Sequence, residues 1–112
     1  MSPGSATIST HVLDATAGTP ATDVAVRLER AGADGEWLAA GQGATDADGR
    51  RRFPGAVPAG RYQLTFATGD YFAARGAESF YPEVTVTFTV TAGHYHVPLL
   101  LSPFAYSTYR GS

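Results

Sequence analysis

The sequence predicts an all-β protein in which one short segment is helical. Thirteen glycines and seven prolines are spread between short segments rich in β-branched and aromatic residues, which indicates many strands with tight connections. Within those segments apolar and polar residues alternate with a period of two, as in strands that have one buried face. Helical character is confined to residues 70–77, where Asp70 is placed to cap the helix N-terminus.

The strands follow in order. Residues 8–13 and 24–29 alternate clearly, and residues 36–43 form a weaker strand around Trp37. Residues 45–49, TDADG, are predicted to be a turn, since Asp and Gly tolerate positive φ. Residues 53–58 are predicted to be a second break, and strands follow over residues 62–66 and 84–90.

The last strand, residues 95–101, differs from the others because apolar residues occur at both its odd-numbered and its even-numbered positions. Such a pattern predicts a strand that is covered on both faces. Since the outer face of a sandwich normally meets water, the second apolar face predicts a subunit interface.

Composition limits the classes of function. The 112 residues predict a single domain over residues 1–112, with residues 1–6 flexible. A net charge of −2 provides no basic field for nucleic acid, and no apolar run is long enough to span a bilayer. The chain has no cysteine, so catalysis has to use oxygen or nitrogen groups, and the absence of a leader pattern predicts the cytoplasm.

The three histidines and one arginine are the candidates for chemistry. His94 and His96 are two residues apart on a strand, so their imidazoles share a face. They are either solvated polar residues without a function or a pair that acts together in catalysis. His11, outward on the first strand, would complete a three-histidine metal site only if it lay beside them. Arg50, just after the turn, is either a solvated arginine or a clamp for a developing oxyanion.

The chain end carries the most specific pattern, HYHVPLLLSPFAYSTYRGS over residues 94–112. It resembles very closely the C-terminal signature of the 5-hydroxyisourate hydrolases, the transthyretin-related enzymes of purine breakdown. Three further stretches agree in order, STHVLDATAGTPATDVAVRLER, TDADGR and TGDYFAARGAESFYPEVTV. The departures are Phe104-Ala105 in place of a more usual tyrosine-glycine, and three arginines in a row in place of one.

The resemblance implies a prealbumin-like, two-sheet β-sandwich of about eight strands with one short helix. It implies a homotetramer with active sites between dimers, and hydrolysis of 5-hydroxyisourate to 2-oxo-4-hydroxy-4-carboxy-5-ureidoimidazoline. No metal or other cofactor is expected. The implied catalytic residues are His11, Arg50, His96 and Ser112, and the implied substrate-binding residues are His11, Arg50, His94, Tyr109 and Arg110.

Two non-catalytic functions compete with this one. A transthyretin-like carrier would bind a planar small molecule without consuming it. An accessory β-module is the second, because the stretch DADGRRRFPGAVPAGRYQLTF resembles a hairpin that is found in many such modules.

Overall fold

The computed structural model describes residues 5–112, which form two β-sheets and one helix. The strands are β1 (Ala6–Asp14), β2 (Thr19–Pro20), β3 (Ala25–Ala31), β4 (Trp37–Ala44), β5 (Arg50–Val57), β6 (Gly60–Phe66), β7 (Val84–Val90), β8 (Gly93–Ser102) and β9 (Ala105–Thr108), and the helix is α1 (Thr68–Ala73). The all-β prediction is confirmed. Of the segment predicted to be flexible, residues 1–4 lie outside the described residues, and Ala6 is the first residue of β1.

The first sheet is organised around β1. This strand runs parallel to β8 on one side and pairs antiparallel with β5 and β2 on the other. The strand β9 then pairs antiparallel with β8. The second sheet has the order β4-β3-β6-β7, with each pair antiparallel.

One core lies between the two sheets. In β1 the even-numbered residues are buried in it, so the odd-numbered ones point outward. Each large apolar side chain in the core contributes roughly 1.5–3 kcal/mol through burial. The most enclosed are Ile8, Val12, Leu28, Tyr62, Leu64, Phe66, Leu99 and Leu101.

The predicted break over residues 53–58 was wrong, because β5 continues to residue 57. Within that strand residues 54–56 lie opposite Thr7 alone, which is a β-bulge. Pro54 lacks an N–H, but β5 pairs with β1 alone among the described strands and tolerates a missing donor at its edge. Gly55 has φ +80° and supplies the left-handed conformation of the bulge. The proline and glycine residues that predicted a break therefore lie at a bulge within one strand.

The helix begins earlier than predicted. It covers Thr68–Ala73, its N-cap is Ala67, and no side chain caps it, so Asp70 lies in the first turn instead of at the cap. In its first turn the N–H of Gly69 donates to the carbonyl of Pro82 at 3.0 Å, and a Cβ on residue 69 would come 2.8 Å from that oxygen, so the contact requires glycine. Among the described residues, no helix has the length and apolar character needed to cross a membrane.

Both faces of β8 carry apolar residues, as predicted. Tyr95 and Val97 are buried on the inner face, and on the outer face Pro98 is buried and Leu100 half-buried. The chain end runs beside this strand at the edge of the sheet, where the N–H of Gly111 donates to the carbonyl of His96 at 2.8 Å. The subunit interface predicted for this face stays a prediction.

Candidate active site

Three neighbouring strands bring the candidate residues onto one outer face of the first sheet. The register pairs His11 of β1 with Arg50 of β5, and Ser9 of β1 with His96 of β8. Because directly paired residues point to the same side of a sheet, all four side chains face away from the core. We call this surface the histidine face, defined by Thr7, Ser9, His11, Arg50, Arg52, His94 and His96.

A cleft of about 350 Å³ lies on the histidine face. It contains four of the residues singled out in the sequence, Arg50, His94, His96 and Ser112, which come from β5, β8 and the chain end. The lining residues are Ser9, Thr10, Arg50, Arg51, Arg52, His94, His96 and Ser112. The lining is cationic and hydroxylic, which suits a small, polar ligand rich in oxygen.

A hydrogen bond holds the His96 ring at one of its two nitrogens. The Oγ of Ser9 is 2.8 Å from Nδ1, which leaves Nε2 as the ring nitrogen available to a reactant. Burial, above all, lowers the pKa of His96 below its ordinary value, and the charges of Arg50, His11 and His94 lower it further. The imidazole is therefore neutral at pH 7 and can accept a proton.

His11 lies beside the cleft and is not among its lining residues. It is half-buried on β1, next to Arg50 and Pro98 in the two registers. The backbone N–H of Arg50, first of all, lowers the pKa of the Asp46 carboxyl, and the charge of His11 adds to this effect. His11 is therefore close enough to the Asp46 carboxyl for its charge to be felt there.

His94 is an exposed neighbour of His96, and the two rings stack with centroids 6.5 Å apart. Both of its nitrogens have partners: Nδ1 is 2.7 Å from the Oγ1 of Thr7, and Nε2 is 3.0 Å from the Oγ of Ser9. Within residues 5–112, no group of three or more His, Cys, Asp or Glu side chains is arranged to hold a metal ion.

The chain end extends the edge of the first sheet beside β8. Thr108 pairs with Leu99, and the bridge between Gly111 and His96 keeps the same register. Pro98 interrupts this ladder, since it has no N–H to donate. Gly111 is required there, because a Cβ would lie 2.6 Å from the His96 ring. Without a side chain, the backbone can cover His96 and bring Ser112 to the cleft.

Tyr109 and Arg110 do not line this cleft. They border a separate, mainly apolar cleft of about 190 Å³ with Val86, Phe88, Thr89, Tyr95, Val97 and Thr108. The guanidinium carbon of Arg110 lies 4.4 Å from the centroid of the Tyr95 ring, a cation–π contact. Arg110 is therefore placed to hold the chain end against the sheet.

Sequence reasoning missed Ser9 and Arg52. Both share a face with residues that it found, since Ser9 is two positions before His11 and Arg52 two positions after Arg50. The period of two would have indicated them, had the alternation been applied to hydroxyl and arginine residues as well as to histidines.

Comparison with known proteins provides an independent view. Residues 8–111 match the HIUase/Transthyretin family. The 5-hydroxyisourate hydrolase of Salmonella typhi is 46% identical over 114 residues, which cover 97% of this chain and 83% of that protein. The structure of Klebsiella pneumoniae 5-hydroxyisourate hydrolase matches with a TM-score of 0.84 and 45% identity, over 96% of this chain and 94% of that one. Sea bream transthyretin in complex with thyroxine matches with a TM-score of 0.83 and 34% identity, over 93% of each chain.

Proposed function

The chain belongs to the HIUase/Transthyretin family, and from its similarity to the hydrolases of that family we propose that it hydrolyses 5-hydroxyisourate in urate breakdown. The family resemblance seen in the sequence is confirmed. The observation within this chain that carries the chemistry is the placement of a neutral imidazole, His96, and a permanent cation, Arg50, on one small cleft.

The reaction opens the six-membered ring. The oxygen of water bonds to a ring carbonyl carbon, and the bond from that carbon to a ring nitrogen breaks. The carbon becomes a carboxylate and the nitrogen gains a proton, which gives 2-oxo-4-hydroxy-4-carboxy-5-ureidoimidazoline. The reaction needs a base for the water, stabilisation of the developing oxyanion and a proton for the leaving nitrogen.

His96 is the base in this proposal, through Nε2. Its pKa lies below the ordinary value, so the unprotonated form predominates at neutral pH, and hydrogen bonding at Nδ1 fixes the orientation of the ring. His11 shuttles the proton to the leaving nitrogen.

Arg50 binds the carbonyl oxygens of the substrate and stabilises the negative charge of the tetrahedral intermediate. Ser112 positions water or substrate with its hydroxyl group. Tyr109 and Arg110, predicted as substrate-binding residues, act in this account by holding the chain end in place. The contact between Arg110 and Tyr95 supports that role.

We propose further that the chain is a cytoplasmic homotetramer with its active sites between dimers. Support comes from the outer face of β8, where apolar Pro98 and Leu100 continue the row of His94 and His96. Exposed aromatic side chains, including Phe80, Phe104 and Tyr109, are also typical of surfaces that bind other chains. Sedimentation velocity would test the assembly.

The carrier alternative is not favoured. Identity is higher to the hydrolase structure, at 45%, than to the transthyretin structure, at 34%. A carrier would bind a planar aromatic molecule without consuming it, so a turnover assay separates the two functions.

The test generates 5-hydroxyisourate in situ from urate and urate oxidase and follows its ultraviolet absorbance with and without this protein, in the presence and absence of a chelator. We expect accelerated decay that the chelator does not change. Decay no faster than the spontaneous rate, from folded protein, would overturn the hydrolase proposal. Loss of activity with chelator would instead point to a metal-dependent site.

A further inference from the structure

A continuous chain of hydrogen bonds crosses the histidine face. It runs from the Oγ1 of Thr7 to Nδ1 of His94 at 2.7 Å, from Nε2 of His94 to the Oγ of Ser9 at 3.0 Å, and from that Oγ to Nδ1 of His96 at 2.8 Å. The parallel register explains it, because Thr7 pairs with His94 and Ser9 with His96. One hydroxyl therefore bridges two imidazoles.

The two imidazoles in this series of hydrogen bonds differ in their access to water. His96 is half-buried and touches the backbone of Gly111, whereas His94 is exposed. Ser9, between them, is only 9% exposed. The chain thus connects an enclosed imidazole with one at the surface, through a hydroxyl that is largely screened from bulk water.

We infer that Ser9 is a positioning residue which fixes the tautomer of His96 and relays its proton to His94. This inference rests on the proposed function, since it explains how His96 serves as the base. Ser9 lines the cleft, and in this inference it acts through its hydrogen bond to the His96 ring.

The protons along the chain can be counted. For Nε2 of His96 to be the free base, Nδ1 carries the hydrogen and donates it to the Oγ of Ser9. The Ser9 hydroxyl then donates to Nε2 of His94, and Nδ1–H of His94 donates to Thr7. The tautomer of the buried ring is set by the hydrogen bond at its other nitrogen.

The relay follows from this arrangement. When Nε2 of His96 takes a proton from the attacking water, Nδ1 passes its hydrogen to Ser9, and the Ser9 hydroxyl passes its own to Nε2 of His94. One proton enters at the cleft and one positive charge appears at His94. The original His96 tautomer is restored when the protons move back along the same bonds to Nε2 of His96, from which His11 carries one to the leaving nitrogen, so no co-reactant is consumed.

The surrounding charges favour moving the positive charge outward. His96 is faced by Arg50 and Arg52 from β5, by His11 from β1 and by His94 from its own strand, and no Asp or Glu is among the residues that line the cleft. A second cation at His96 is repelled by these groups. At exposed His94 the same charge is solvated by water and screened.

The test compares Ser9→Ala with Ser9→Thr, which keeps a hydroxyl at the same position. For Ser9→Ala we expect kcat to fall by about tenfold to a hundredfold, a modest part of what general acid–base catalysis supplies. KM should change less than twofold, because substrate contacts are retained, and Ser9→Thr should recover most of the rate. Thr85→Val is the matched control, since it removes a hydroxyl bonded at 3.1 Å on the second sheet and should leave kcat unchanged.

Two readouts separate a relay from a merely structural role. In mixtures of H₂O and D₂O, the dependence of kcat on the deuterium fraction should be curved for the wild type, as several protons move together, and straight for Ser9→Ala. Imidazole ¹⁵N shifts should show Nδ1–H at neutral His96 in the wild type and mixed tautomers in Ser9→Ala. The NMR readout needs no turnover, so it tests the inference even if the proposed function fails.

Wild-type kcat in folded Ser9→Ala would overturn the relay. So would a kcat that falls without recovery in Ser9→Thr while the unfolding midpoints of the three proteins agree. If His96 shows Nε2–H in the wild type, the assignment of the tautomer is wrong, whatever the rates.

Discussion

The outer faces of the two sheets carry polar side chains in opposite electrostatic arrangements. On the second sheet the Glu29 carboxylate accepts a hydrogen bond from the Gln63 amide at 2.9 Å and lies 3.4 Å from Nε of Arg27. On the histidine face, imidazoles and arginines lie together, and the residues lining the cleft include no carboxylate side chain.

This difference distinguishes a face whose charges are paired from one whose cationic and titratable groups lie together. Paired opposite charges on a surface are near neutral in their effect and seldom perturb a pKa. On the histidine face, burial above all lowers the pKa of His96, and the neighbouring cations lower it further. A titratable group with a shifted pKa in a cleft is a candidate for a catalytic role.

The largest effect should come from removing the base. His96→Asn is expected to lower kcat/KM by about 10²–10⁴-fold, the range for general acid–base catalysis, without loss of folded protein. Steady-state assays on 5-hydroxyisourate measure this, and Gln63→Ala on the second sheet is the control that should keep the full rate. Near-wild-type turnover by His96→Asn would remove the histidine from the mechanism.

Substituting one arginine on each face compares the two faces directly. Arg50→Gln should lower kcat by about 10²–10³-fold, because it removes a donor to the oxyanion. Arg27→Gln should leave kcat unchanged and alter the free energy of unfolding by less than about 1 kcal/mol, since its ion pair is at the surface. Equal kinetic effects from both substitutions would show that the faces do not differ in function.

The chain end offers a more moderate test. In Gly111→Ala the new Cβ would lie 2.6 Å from Cδ2 of His96, so the backbone or the ring has to shift by several tenths of an ångström. A displacement of this kind lowers kcat by about tenfold, less than full loss of the base. Ser107→Ala, on the same edge in β9, is the control. Unchanged kcat in Gly111→Ala would show that close contact with the ring is dispensable.

The smallest effect concerns pH and stability. Since the pKa of His96 is lower in the folded chain than its ordinary value of about 6.5, the unfolded chain binds the proton more readily. The free energy of unfolding should therefore fall as pH drops from about 6.5 to the folded pKa, and this contribution should level off below it. Urea denaturation at several pH values measures the slope, which should be shallower in His96→Asn; an identical slope would contradict the lowered pKa.

Much of the fold could be predicted from local pattern alone. The alternation of apolar and polar residues over β7, and the apolar residues at both odd and even positions of β8, were sufficient to identify these strands and their faces. The bulge at Pro54 and the start of α1 were not, because both depend on neighbours distant in sequence. In the first turn of α1, for example, the N–H of Gly69 finds its acceptor in the carbonyl of Pro82.

The candidate site was predictable only in part for a similar reason. His94 and His96 could be placed on one face from their spacing. The family resemblance assigned roles to Arg50, through the stretch TDADGR, and to Ser112, through the chain-end motif. The bridge through Ser9 depends on the parallel register of β1 and β8, which pairs residues more than eighty positions apart. No local pattern encodes that register.

The central claim is that substrate binds on the histidine face beside His96. The most direct measurement is a titration of the ¹⁵N-labelled protein with urate, a planar and stable compound of the same chemical class, followed through the imidazole and backbone signals. The account predicts that signals of His96, His11 and Ser112 shift together and saturate, while those of Arg27 and Gln63 on the second sheet do not move. Saturable shifts confined to the second sheet or to the cleft between Tyr95 and Arg110, with the imidazole signals unchanged, would contradict it.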